Sequence, residues 1–229
     1  IHVSGYFNDF HDSPAYKVND YRYQQYALQF GQTFQPAENH TFMWGIDSRA
    51  DCLDTSNADP SLLNQDYVNT AVFGLYAQDE WRFAPNWRLN LGARIDYEFY
   101  TGFQPSGRAS LSYDLTDTSM LYAAVSRAFQ TPPVGSRFLY TPFMEGLVYA
   151  TSDQDIKPET LIAYELGYRA TFFDKLQTNV NLYCHDYDDL AILKLMPGPP
   201  GLVRNNFQNG YPAWMYGVEM DARYDITKN

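Results

Sequence analysis

From Leu89 the apolar positions are Leu89, Leu91, Ala93, Ile95, Tyr97 and Phe99, interleaved with Asn90, Gly92, Arg94, Asp96, Glu98 and Tyr100. A period of two with one greasy side is the mark of a half-exposed β-strand. The pattern returns in Ala109, Leu111, Tyr113 and Leu115 against Arg108, Ser110, Ser112 and Asp114. It returns again in Tyr216, Val218, Met220, Ala222, Tyr224 and Ile226 against Gly217, Glu219, Asp221, Arg223 and Asp225. Segments of this kind fall at roughly 1–10, 20–35, 39–50, 68–83, 87–100, 106–115, 119–128, 160–173, 176–190 and 213–226. Many reach the roughly 9–11 residues that cross a bilayer at a tilt, whereas soluble strands average about 5–6.

The connections sort by length. Short turns are expected at Pro36–Glu38, Pro85-Asn86, Thr116-Asp117 and Asp174-Lys175, and long segments at 51–67, 129–159 and 191–212, with Thr101–Pro105 a short member of the long series. Short turns on one side and long loops on the other are the wiring of an outer-membrane β-barrel. Arg94, Arg108 and Arg223 would each cost about 2–4 kcal/mol if turned to lipid at mid-depth. The charged face is therefore expected to line the lumen and the apolar face to meet lipid. The expected fold is all-β: about ten consecutive up-and-down antiparallel strands of a larger transmembrane barrel.

Composition agrees once the alternation is known. The 229 residues are 17% aromatic, with 20 Tyr and 15 Phe, yet only 45% hydrophobic. Mean hydropathy is −0.44. No stretch approaches the roughly 18 apolar residues of a spanning helix, and a wall wet on one side averages to this value. The net charge of −11 argues against nucleic acid as a partner. Cys52 and Cys184 match no metal-ligand spacing and are read as free thiols, with a disulfide as the alternative. Ile1-His2-Val3-Ser4-Gly5 has no basic or apolar leader pattern, so the chain is expected to be either cytosolic or a mature or excised segment.

Four stretches carry a family resemblance. Gly74-Leu75-Tyr76-Ala77-Gln78-Asp79-Glu80-Trp81 leads into Leu89-Asn90-Leu91-Gly92-Ala93-Arg94-Ile95-Asp96. Leu121-Tyr122-Ala123-Ala124-Val125-Ser126-Arg127-Ala128-Phe129-Gln130-Thr131-Pro132 leaves a strand for a large loop, which ends in Ile156-Lys157-Pro158-Glu159-Thr160 and Tyr164-Glu165-Leu166-Gly167. Asn209 precedes Gly217-Val218-Glu219. In order and spacing these resemble the barrel of TonB-dependent outer-membrane receptors, over about residues 68–226. The resemblance implies a barrel of roughly 22 strands closed by an in-chain plug, and a place in the bacterial outer membrane. It also implies the inner-membrane TonB complex as partner and a monomeric barrel in lipid. Residues 1–229 are then expected to be an internal piece of such a barrel, with the plug and the terminal strands outside this chain.

Arg94, Asp96, Arg108, Glu165, Arg169, Glu219, Asp221 and Arg223 share the charged face, as wall ion pairs or plug contacts. Gly167 and Gly217 are expected at a twist, a bulge or a close backbone approach. Lys157-Pro158-Glu159 reads as a returning turn.

No catalytic constellation, cofactor motif or phosphate-cradling loop is present, so no enzyme, cofactor or metal is expected. His11-Asp12, Asp51 with Asp54 and Asp59, and His185-Asp186-Tyr187-Asp188-Asp189 lack zinc or EF-hand spacing; the last reads as a solvated rim, with a loop Ca²⁺ site as the alternative. Asn39-His40-Thr41 fits a glycosylation pattern at an expected inner turn and is read as chance. Haem receptors of the family carry a histidine in the stretch corresponding to Phe129–Thr160, which here has none. Arg137, Tyr140, Phe143 and Tyr149 in one outer loop, and Arg204, Tyr211 and Trp214 in another, offer stacking and positive charge for an anionic ferric siderophore, or an interfacial girdle. A passive porin and a secreted β-sandwich adhesin are the alternatives to TonB-coupled siderophore uptake.

Overall fold

The computed structural model describes residues 1–12, 20–58, 63–143, 148–153, 155–197 and 203–226. Ten long strands form one antiparallel sheet: β1 (His2–Asp12), β2 (Tyr21–Ala37), β3 (His40–Asp54), β4 (Tyr67–Ala84), β5 (Trp87–Glu98), β6 (Gly102–Thr116), β7 (Ser119–Gln130), β10 (Glu159–Phe172), β11 (Leu176–Asp188) and β14 (Ala213–Tyr224). They lie in chain order, each paired with its predecessor and successor, so β1 and β14 are the two edges and the sheet is an arc. Every expected strand is present. β6 differs most, starting at Gly102 and pairing through Pro105 opposite Ile95.

Four tight turns fall at one end of the sheet, and the three-residue turn between β5 and β6 (99–101) lies at the other. The register shifts at Phe34/Ala37, Trp81/Ala84 and Asp114/Thr116 lie beside three of them, where an extra residue adds local twist. In the fourth, Phe173 and Asp174 take φ of 55° and 56° to reverse the chain from β10 to β11.

Exposure is inverted relative to a soluble protein. On β5 and β11 the apolar residues Leu91 and Leu182 are 48% and 46% exposed, while the charged Asp96 and Glu98 are only 3% and 5% exposed. A sheet that shelters its charges and bares its leucines is built for a hydrocarbon solvent on its apolar side. Aromatic rings mark both borders of that side. Near the tight turns Phe34–Phe42, His40–Trp81, Trp81–Phe83, Phe83–Trp87 and Trp87–Tyr113 follow one another across β2 to β6, with ring centroids 4.6 to 6.1 Å apart. Near the loop end Phe7–Tyr26 and Tyr97–Phe103 pair at 4.9 and 5.0 Å. Such girdles sit at the two water interfaces of a membrane wall.

The two longest connections, expected as irregular loops, contain structure of their own. Helix α1 (Val134–Phe138), β8 (Tyr140–Phe143) and β9 (Val148–Ser152) lie between β7 and β10; β12 (Ala191–Pro197) and β13 (Val203–Asn209) lie between β11 and β14. The four short strands make a second sheet, in the order β12-β13-β9-β8, in which β13 and β9 are parallel.

Candidate functional site

The polar face of the large sheet carries a charge network. Arg94 on β5 reaches back over β4 to Asp47 on β3, with Nη1 and Nη2 donating at 2.5 and 2.9 Å, and also donates to Asp96 on its own strand through Nε at 2.8 Å. Gly74 makes this possible. It lies between Asp47 and Asp96 in the register, and a Cβ there would fall on the Arg94 guanidinium and 2.7 Å from Asp96 Oδ1. Arg108 likewise crosses β7 to Glu165, at 2.7 Å. Asp51, buried, accepts from Tyr23 Oη at 2.6 Å, Gln25 Nε2 at 2.7 Å and Arg49 Nε at 2.9 Å.

The register aligns Arg94, Asp96, Arg108, Glu165, Arg169, Glu219, Asp221 and Arg223 on this one face. Arg223 pairs with Asp225 at 3.3 Å; Arg169, Glu219 and Asp221 have no ion-pair partner among the described residues.

Gly167 and Gly217 are covered by side chains rather than by another backbone. The Tyr122 ring lies over Gly167 and the Tyr183 ring over Gly217, where a Cβ would meet the ring atoms. Tyr76 repeats the device over Gly45, its hydroxyl reaching on to Gly31. A ring laid across a facing glycine restores the packing that the missing side chain forfeits and fixes the register.

At the loop end the buried side chains turn conventional, with Val68 and Ile156 each 2% exposed and Phe138 4%. Arg137 is buried here. Its guanidinium lies 5.2 Å from the Tyr100 ring centroid and donates through Nη2 to the Ile156 carbonyl at 3.0 Å. Burial raises the Tyr100 phenol above its ordinary pKa; the Glu98 carboxylate pushes the same way and Arg137 opposes it. Glu98 holds the turn between β5 and β6, accepting from Tyr100 N at 3.0 Å, Thr101 N at 2.7 Å, Thr101 Oγ1 at 2.8 Å and Thr70 Oγ1 at 3.1 Å.

Two motifs that lie far apart in sequence meet at the base of the loop sheet. Asn209 Oδ1 accepts from Lys157 N at 2.8 Å, and its Nδ2 donates to Lys157 O at 3.1 Å and Asp189 O at 2.7 Å. Glu159 Oε1 accepts from Ala191 N at 2.7 Å. The Lys157-Pro158-Glu159 turn is thus a clamp between the two loops.

The remaining loop candidates are dispersed. Tyr140, opening β8, and Tyr211, following β13, are both exposed. Trp214 is exposed and shares a register row with Asp186, Ile162 and Arg127, which the strand parity places on the apolar face. Phe143 pairs with Val148, and Arg204 with Tyr149, in backbone register; the side chains of Phe143, Tyr149 and Arg204 lie outside the described residues. Adjacent residues of β11 face opposite ways, which separates His185 from Asp186. No group of three or more His, Cys, Asp or Glu is arranged to hold a metal among the described residues, and both cysteines are free. Glu98 and Asp47 were not singled out beforehand; Glu98 is the next charged position on the Arg94–Asp96 face and was legible there.

Hairpins with turns at one end and folded loops at the other, an exposed apolar face between two aromatic girdles and a sheltered charged face define a segment of an outer-membrane β-barrel. The TonB dependent receptor-like, beta-barrel family model matches residues 2–228, and the chain belongs to that family. An iron-regulated outer membrane virulence protein of Vibrio cholerae is 21% identical over 202 residues, covering 85% of this chain and 31% of the relative. The siderophore receptor PirA from Pseudomonas aeruginosa superposes with a TM-score of 0.74 at 21% identity, over 87% of this chain and 39% of that one. A mutant of the ferric enterobactin receptor PfeA from the same species, solved with enterobactin, gives 0.71 at 20% identity, over 87% and 33%. The chain thus spans about a third of the length of these relatives. Its setting is the bacterial outer membrane.

Proposed function

We propose that the chain is part of the barrel of a TonB-coupled receptor that imports a scarce large solute, a ferric siderophore. On this reading the parent protein also holds a plug and the strands that close the barrel, and takes its energy through the inner-membrane TonB complex. The observation that carries it is the loop sheet. Two outer loops are joined by parallel pairing of β9 with β13 and clamped by Asn209, which makes a single folded cap at the outer mouth. A passive pore has no use for loops cross-linked in this way, whereas a receptor needs a preorganised surface on which to capture its solute. Exposed Tyr140 and Tyr211 give the cap aromatic surface for a catecholate-like or hydroxamate-like chelate. That PirA is a siderophore receptor and PfeA a receptor for ferric enterobactin supports this solute class.

The test is direct binding to the full-length receptor of a panel holding ferric catecholate and hydroxamate siderophores, haem, cobalamin, a glycan and a peptide. Saturable binding of a ferric siderophore is the expected result. Binding of a glycan or peptide with no iron chelate bound would overturn the solute reading, and a parent sequence without a plug would overturn the TonB-coupled one.

A further inference from the structure

Strand parity turns most of the wall's charge toward the polar face; Asp79, paired with His40 at 2.7 Å, and Asp186 fall on the apolar side, and β7 adds an arginine there. Leu121, Ala123, Val125 and Arg127 share a face, and Leu121 and Val125 are 39% and 42% exposed on the apolar side. Arg127 is opposite Gly107 on β6 and Ile162 on β10, both in that apolar row. It is half-buried and donates to the Pro105 carbonyl. It has no carboxylate partner among the described residues, whereas Arg22, Arg49, Arg82, Arg88, Arg94, Arg108 and Arg223 all do. An arginine on the lipid side without a counter-charge costs up to about 2–4 kcal/mol at mid-depth, less near the interface, and calls for an anion.

Arg127 stands three residues before the loop end of β7, at Gln130, which puts it near the outer interface. Beside it the apolar face is hollowed. A groove of about 720 Å³ runs from Arg127 across β6 to β5, floored by Ala93, Gly107 and Ala109 and walled by Leu91, Val125 and Ile162; Asp79 of β4, already paired with His40, lines its far side. Small residues on β4, β5 and β6 (Ala77, Ala93, Gly107 and Ala109) leave this furrow among larger apolar side chains. Its lining is almost wholly apolar, and its size is that of a site for one ligand-sized body.

We infer that this groove is a binding site for a phosphate-bearing lipid of the outer leaflet, one acyl chain lying along Ala93, Gly107 and Ala109 and the phosphate paired with Arg127. The charge complementarity selects the occupant: the anion that reaches the rim of a hydrocarbon-facing furrow from above is a lipid headgroup. A guanidinium presents several N–H donors, so the bond to Pro105 leaves a fork free for phosphate oxygens. The site is independent of the transported solute, since it lies on the opposite face of the wall.

The test uses the intact parent protein in neutral detergent micelles, titrated with dimyristoyl phosphatidic acid and, for comparison, dimyristoyl phosphatidylcholine, with bound lipid counted by native mass spectrometry. The expected result is a preference of at least about tenfold for phosphatidic acid, the scale of a charge-assisted hydrogen bond. Arg127→Gln abolishes that preference, Arg127→Lys keeps part of it, and Ala109→Trp, which fills the furrow, weakens both lipids. Removing a charge from the lipid side does not hinder insertion, so Arg127→Gln is a folded comparison. Inorganic phosphate at equal concentration does not displace the lipid. No preference in the unaltered protein, an Arg127→Gln variant that binds phosphatidic acid as before, displacement by phosphate alone, or a second copy of the barrel occupying the furrow would each overturn the inference.

Discussion

Gly74 offers a sharp test of how the polar wall is held. Replacing it with alanine adds one methyl, and that methyl lands where the Arg94 guanidinium lies. Arg94 is tethered through Nε to Asp96 on its own strand, whose Oδ1 lies 2.7 Å from the new methyl and must shift with it, and its path over β4 to Asp47 is blocked. The loss is therefore the bidentate bridge to Asp47. A hydrogen bond between charged groups contributes roughly 1.5–3 kcal/mol. Arg94 and Asp47 side chains are 32% and 21% exposed, so solvent screening brings the expected cost to about 2 kcal/mol. Ordinarily Gly→Ala inside a strand is neutral or gains about 0.5–1 kcal/mol, so the sign itself is diagnostic. Gly92 is the control: it lies on the same face, and its Cβ would come no nearer than 3.9 Å to Gln78. The assay is urea unfolding of the refolded parent protein in lipid vesicles, for Gly74→Ala, Gly92→Ala, Asp47→Asn and the Gly74→Ala/Asp47→Asn pair. Gly74→Ala should be destabilising and Gly92→Ala not, and the double variant should cost little more than Asp47→Asn alone. Equal effects at the two glycines, or additivity in the pair, would refute the bridging role.

Charge placed at Leu91 as Leu91→Arg should cost about 2–4 kcal/mol and impair barrel assembly, while Asn90→Arg on the other face should be tolerated; heat-dependent gel mobility of the outer-membrane fraction separates them. Gly167→Ala drives a methyl into the Tyr122 ring, so its unfolding midpoint should fall and should recover when Tyr122→Ala is added. Asn209→Ala removes two hydrogen bonds that join the two loops, and a third, to Asp189 O, within its own loop. It should leave wall stability nearly unchanged but raise protease cleavage and amide exchange around 155–159 and 203–209.

The wall was readable because its information is local. Each strand states its two faces by alternation, and neighbours in sequence are neighbours in the sheet, so Leu89–Phe99 needs no other segment to be understood. β6 was misplaced at its start because Pro105 suggests a break, yet its absent N–H does not prevent pairing opposite Ile95. The loop sheet was not readable for the opposite reason. β8 has four residues and β9 five, neither alternates, and the hairpin they form is built into a larger sheet by β13, from a different loop. Arg137 shows the same limit within one residue. Its charge and position suggested a solute contact, but the Tyr100 ring and the Ile156 carbonyl that draw it inward come from two other segments. Asp47 was invisible until β3, β4 and β5 were aligned, since its partner Arg94 is two strands away.

The parallel pairing of β9 with β13 has a consequence for the order of assembly. Every backbone pairing of the wall joins strands that follow one another along the sheet, but Val148 meets Val203 across 55 residues and two wall strands. Loop-closure entropy delays such a pairing until β10 and β11 have brought its two halves together. The cap is thus the last part of this region to form and the first to open. A nascent barrel presents an open mouth, and closing it reports that the wall beneath is already complete.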